Sequence, residues 1–208
     1  MKIRICSVII PVSILLAVMS CTQVHYCARD FFEDAELEYI SAEETISQSE
    51  KDAIIRSGFV PGSSSSGPFS LISVEPDRLQ LRDVDIHVYH RDGGGNVVSV
   101  TSILGNHDQN QFSRFFEING SGEIAGELDR YQLGISEVLS NEFLDPDDFF
   151  TEEDNYPVAL YILDDGSFRA EPWTWMNPHW EGREIVYEIV FTWNGELFTK
   201  EVKRLQEQ

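Results

Sequence analysis

The chain is predicted to be all-β: an antiparallel β-sandwich of immunoglobulin-like architecture, preceded by a short helical or disordered tether. Three observations lead there. From Phe69 onward apolar and polar residues alternate with period two, which suits a half-buried strand and not a helix. Clusters of Gly, Asn and Asp break that alternation at short intervals. No long amphipathic helical pattern follows Phe69, and many short strands with frequent turns pack most simply as two sheets.

Val84, Ile86 and Val88 alternate with Asp85, His87 and Tyr89, and Asp92-Gly93-Gly94-Gly95-Asn96 returns the chain into residues 97–103, which makes a hairpin. Residues 112–118 and 123–128, joined by Asn119-Gly120-Ser121-Gly122, form another, and residues 136–143 suit a short helix. Residues 156–163 turn at Asp165-Gly166 into residues 167–171. In the last hairpin Ile185, Tyr187, Ile189, Phe191 and Trp193 share one face. A two-residue turn at Asn194-Gly195 sets Phe191 opposite Phe198, Tyr187 opposite Val202 and Glu188 opposite Glu201. The Cys and Trp hallmarks of a true immunoglobulin domain are absent, so the likeness is one of architecture, and strand order is left open.

The N-terminus carries an address. Lys2 and Arg4 precede an apolar run over residues 5–19, then Ser20 and Cys21, the three-part layout of a secretory signal. A helix of that length reaches only about 22 Å, short of a hydrocarbon core of about 30 Å, and Pro11 would kink it. Val18-Met19-Ser20-Cys21 resembles the lipobox of bacterial lipoproteins. The resemblance implies removal of residues 1–20 and lipidation of Cys21, and so a protein of the bacterial cell envelope, periplasmic or surface-facing, held at a membrane by its lipid anchor. Without acylation the same signal implies a secreted protein, and a small Cys21–Cys27 loop becomes available. Residues 21–68 are then expected to be tether and adaptor. Ser41-Ala42-Glu43-Glu44 is a capping box and Ser49-Glu50-Lys51-Asp52 starts a second capped turn that Gly58 can stop, so one or two short helices are expected over residues 42–57. Residues 61–68, Gly/Ser between prolines, form a linker to the domain over residues 69–208.

The net charge of −21 over 208 residues becomes −23 once Lys2 and Arg4 leave with the signal. Such a charge repels phosphate backbones and anionic headgroups, which excludes nucleic acid as a ligand of the folded part and favours a solvated acidic exterior. No cysteine spacing suggests zinc, and no cofactor motif is present: G-x-S-x-G, G-x-x-x-x-G-K-[ST], G-x-G-x-x-G and H-E-x-x-H are all missing.

His87 and His90 stand three apart on a strand, hence on opposite faces, and cannot share a metal. His107-Asp108 and His179 lie in polar or aromatic loops without an obvious partner. Asp145, Asp147, Asp148, Glu152, Glu153, Asp154 and Asn155 supply hard oxygen donors of the kind Ca²⁺ takes, but Phe149-Phe150 interrupts them and the EF-hand spacing is missing, so an acidic loop is the expectation and no metal site is assigned. Trp173, Trp175 and Trp180, beside Pro172 and Pro178, are the candidate ligand-binding residues: on an extended backbone Trp173 and Trp175 share a face on which a sugar ring or an apolar segment could stack. The competing expectation is that these indoles seal the end of the core. The function expected is a lipid-anchored, non-enzymatic envelope protein that binds a protein partner or serves a structural role. The alternatives are a carbohydrate-binding module using the Trp173–Trp180 loop, with a glycan partner, and a hydrolase, which would need His107, Asp108 or His179 to meet a second titratable group in a cleft.

Overall fold

The computed structural model describes residues 26–35, 46–58, 70–103, 111–148, 150–152, 154–172, 180 and 182–205. The protein is mostly β, with two antiparallel sheets and, among the described residues, two short helices.

Strands β1 (Leu71–Val74), β2 (Arg78–Leu81), β3 (Val84–His90), β4 (Asn96–Ile103), β5 (Gln111–Ile118) and β6 (Ile124–Leu128) form the first sheet in that spatial order. Strands β7 (Ala159–Ile162), β8 (Phe168–Glu171), β9 (Tyr187–Trp193) and β10 (Phe198–Arg204) form the second, also in chain order. Each strand pairs with its neighbour in sequence, so both sheets are up-and-down meanders without the Greek-key crossovers of an immunoglobulin domain. Local hairpin chemistry explains this simplicity. The expected hairpins at residues 91–95, 119–123 and 163–167 all form, with Gly95, Gly122 and Gly166 at positive φ. The segment 136–143 is extended as far as Leu139, which bridges to Pro157, and only Ser140–Phe143 turns, as a single 3-10 turn.

The last hairpin forms with a different register. Its turn centres on Gly195-Glu196, and Phe191 pairs with Lys200, Tyr187 with Arg204 and Glu188 with Lys203. The cause is the Asn194 side chain, whose Oδ1 accepts the backbone N–H groups of Glu196 and Leu197 at 3.0 and 2.9 Å and so starts the turn one residue late. Each pair moves by two residues, an even number, so the buried face is unchanged and the like-charge Glu188–Glu201 pair is avoided. Ile189 and Phe191 are fully buried on that face.

Within the segment expected to be a tether, the described residues 26–35 and 46–58 contribute to the core. Helix α1 (Ala28–Asp34) places Ala28, Phe31, Phe32 and the following Ala35 at i, i+3, i+4 and i+7, and all four are buried. Helix α2 (Gln48–Ser57) is capped by Ser47, whose hydroxyl accepts Glu50 N–H while the Glu50 carboxylate accepts Ser47 N–H, and Gly58 ends it at φ 82°. The first capping box, Ser41–Glu44, lies outside the described residues. Buried Lys51 of α2 donates to the Glu33 and Ala35 carbonyls, so it satisfies the C-terminal end of α1. The two helices cover one face of the first sheet, where Phe31, Phe32 and Ile54 meet Leu79, Leu81, Ile86, Val98 and Ile118. The other face packs on the second sheet through Tyr89, Val97 and Phe115 against Phe168, Phe191 and Phe198. The first sheet is therefore a middle layer, and β3 is buried from Val84 to Tyr89 on both of its faces.

Candidate functional site

Burial on both sides forces the polar residues of β3 into the interior. Cross-strand register places Arg78, Asp85, His87, Ser99, Thr101 and Ser113 on the face of the first sheet that looks toward the second. Asp85 and His87 are 2% and 5% exposed, far below what isolated polar side chains tolerate, so each must find a partner. Arg78 supplies a two-pronged one: Nε donates to Asp85 Oδ1 at 3.2 Å and Nη2 to Oδ2 at 2.7 Å. Its remaining Nη1 donates to Asp164 at 2.8 Å, at the start of the β7–β8 turn. His87 Nε2 lies 3.1 Å from Asp85 Oδ1 but out of line for a straight N–H···O bond, so its contact is chiefly electrostatic.

The same turn closes over the cluster. Tyr89 donates its hydroxyl to the Gly166 carbonyl at 2.8 Å and lies 3.2 Å from Ser99 Oγ. Gly166 sits at φ +80°, and a Cβ there would stand 2.9 Å from His87 Nδ1 and 3.2 Å from the Tyr89 ring, so only glycine lets the turn lie on both rings. Asp165 Oδ1 accepts the Ser167 hydroxyl at 2.6 Å and its N–H at 2.9 Å, which fixes the turn's own shape.

These contacts set the charges. Burial alone would raise the Asp85 carboxyl, but the close His87 imidazole and the two hydrogen bonds from Arg78 outweigh it and hold the group below its ordinary range. Arg78 is raised by its bond to Asp85, and Tyr89 is raised by burial, so the phenol stays protonated as a donor. The chemistry available is that of a fixed carboxylate held between a guanidinium and an imidazole, while Arg78 and Tyr89 spend hydrogen bonds on linking the first sheet to the β7–β8 turn.

The residues singled out in the sequence are not brought together. Trp180 is buried at 4% exposure, donates Nε1–H to the Tyr156 hydroxyl at 2.6 Å and packs edge-on against Phe150, as a core residue does. Trp173, Trp175, Cys21, His107, Asp108 and His179 lie outside the described residues. His87 and His90 do face opposite ways: His90 is exposed, between Asp77 and Asn96. The acidic loop disperses its carboxylates, Asp145 to Arg204 and Asp148 to Arg183, while Asn155 binds Ser140 and Asn141. Among the described residues no group of three or more His, Cys, Asp or Glu is placed to hold a metal ion. The buried Arg78–Asp85–His87 cluster was missed because Asp85 and His87 read as the wet side of a two-faced strand. Its only signal was Arg78 and Asp85 on the two strands of the short β2–β3 hairpin, in diagonal positions. No family model matches the chain, and no curated protein or solved structure is similar to it.

Proposed function

We propose that the chain is an exported envelope protein anchored by lipid on Cys21, whose β body binds a partner or scaffolds rather than catalyses. The observation that carries the reading is the run from Lys2 to Cys21, a basic start, an apolar stretch and the lipobox-like Val18-Met19-Ser20-Cys21. Several acyl chains on one residue supply the multiple anchors that lasting membrane attachment needs. The engagement of Asp85 with Arg78 and His87, and of Tyr89 with the Gly166 carbonyl, supports a body built for rigidity. Metabolic labelling with a radioactive fatty acid, combined with the mass of the mature N-terminus and membrane fractionation, tests the anchor. Wild type is expected to incorporate label, begin at Cys21 and pellet with membranes, whereas Cys21→Ala is expected to be unlabelled and released. Label-free wild type or unchanged membrane retention of Cys21→Ala would overturn the reading.

A further inference from the structure

The fold begins almost at the anchor. Tyr26 is already buried at 6% exposure, and Ala28 opens α1, so only residues 22–25 separate Cys21 from the packed body. Whatever conformation they adopt, five residue steps span at most about 18 Å. The point of entry is also defined. Ala28 N–H donates to the Pro76 carbonyl in the β1–β2 turn at 2.9 Å, and the Tyr26 ring lies 3.5 Å from where a Gly122 Cβ would stand in the β5–β6 turn. In a six-stranded meander those two turns and the β3–β4 turn share one end of the sheet.

We propose that this end, carrying the turns at residues 75–77, 91–95 and 119–123, is a bilayer-facing surface, and that the partner is the membrane holding the Cys21 acyl chains. The inference rests on lipidation of Cys21. Its geometry is a comparison of two lengths: β4 has eight residues and is about 27 Å long, more than the leash of about 18 Å, so the body cannot invert to bring the opposite end to the surface. The Arg82–Asp83 turn and the far ends of β4 and β5 project outward, and that is the end a soluble partner meets. Glu75, Asp92, Glu123 and Glu196 lie at the membrane end, where Arg91 is paired with Glu117 and Asp77 with His90. Their repulsion from anionic headgroups is largely screened beyond about 10 Å at 0.1 M salt, so it acts only close to the surface and does not turn the body over.

The test uses mature acylated protein in phosphatidylcholine vesicles that carry a headgroup acceptor dye, with Cys27→Ser as background and a single donor dye on Gly93→Cys, Gly120→Cys or Arg82→Cys. All three positions are exposed, and a side chain at Gly93 or Gly120 meets nothing within 4 Å. The ends of seven-residue β3 differ in height by about 24 Å, so energy transfer is expected to be about twofold or more stronger from Gly93→Cys and Gly120→Cys than from Arg82→Cys. A long Gly/Ser insertion after Thr22 is expected to abolish the difference. Equal transfer from both ends, or stronger transfer from Arg82→Cys, in protein whose mass shows the acyl chains would overturn the orientation alone. A mature mass without acyl chains would overturn the lipid reading and the orientation with it.

Discussion

Replacing Asp85 with Ala removes the acceptor on which the buried cluster turns. Its side chain is 3% exposed, it accepts both prongs of the Arg78 guanidinium, and its Oδ1 lies within 3.1 Å of His87 Nε2. Deleting one partner of a buried pair costs about 3–5 kcal/mol, because the remaining charge is left without compensation. Arg78 is not wholly abandoned here, since Asp164 stays bound to Nη1 at 2.8 Å and is itself 95% exposed, which places the expected loss near the lower end, about 3 kcal/mol. Replacing both charged partners by apolar residues of similar size, Arg78→Met with Asp85→Leu, is expected to cost less than the single change, because no charge is then left buried and alone. Equilibrium urea unfolding of the two single variants and the double variant reads this directly. A loss below about 0.5 kcal/mol for Asp85→Ala, the range of ordinary surface substitutions, would refute the assignment of Asp85 as the hub of the interior.

Three further outcomes are expected. Because the folded carboxyl of Asp85 is held below its unfolded value near 3.9, the unfolded state binds the proton first; the stability it contributes is present above that unfolded value and is lost as pH falls below it through the lower folded value, so the acid side of a stability–pH profile is expected to flatten in Asp85→Asn. Trp180→Ala is expected to lower stability by about 3–5 kcal/mol through loss of a buried indole, read as a fall in melting temperature, and a melt like wild type would show that the ring is not in the core. A protein begun at residue 69 lacks both helices and uncovers Leu79, Leu81, Ile86, Val98 and Ile118, so it is expected to aggregate or bind a hydrophobic dye, whereas one begun at Thr22 is expected to stay monomeric by light scattering.

Strands and turns were legible because their signals are local. Period-two alternation located β3 and β9, and Gly- or Asn-rich turns located the β3–β4, β5–β6 and β7–β8 connections, whereas β1 and β2, joined by turns without that signal, were not located. What failed was whatever depended on a competitor. At Asn194 a side-chain oxygen captured backbone N–H groups and moved the turn by one residue, a choice that an Asn-Gly pair alone does not announce. Helix α1 failed for a different reason: Ala28, Phe31, Phe32 and Ala35 carry a helical spacing, but over two turns and among acidic residues it looked like a polar lead. Such a helix is marginal alone and is held by the sheet beneath it, so its existence is a tertiary fact.

That tertiary fact also explains why the interior cluster could not be read from the strand bearing it. A strand covered on one face places Asp85, His87 and Tyr89 in water, where each is unremarkable. Once α1 and α2 cover the Val84, Ile86 and Val88 side and the second sheet covers the other, the same alternation becomes a row of buried polar groups that must be satisfied. Arg78 and Ser99 answer from the neighbouring strands, and the β7–β8 turn answers from the second sheet, with Asp164 on Arg78 and the Gly166 carbonyl on Tyr89. The two contacts from the β7–β8 turn join residues more than seventy positions apart, and each is directional, whereas the surrounding aromatic packing would tolerate some sliding of the layers. The polar row therefore fixes how the two sheets sit on each other, and its cost in desolvation is matched by a register that apolar packing alone does not specify.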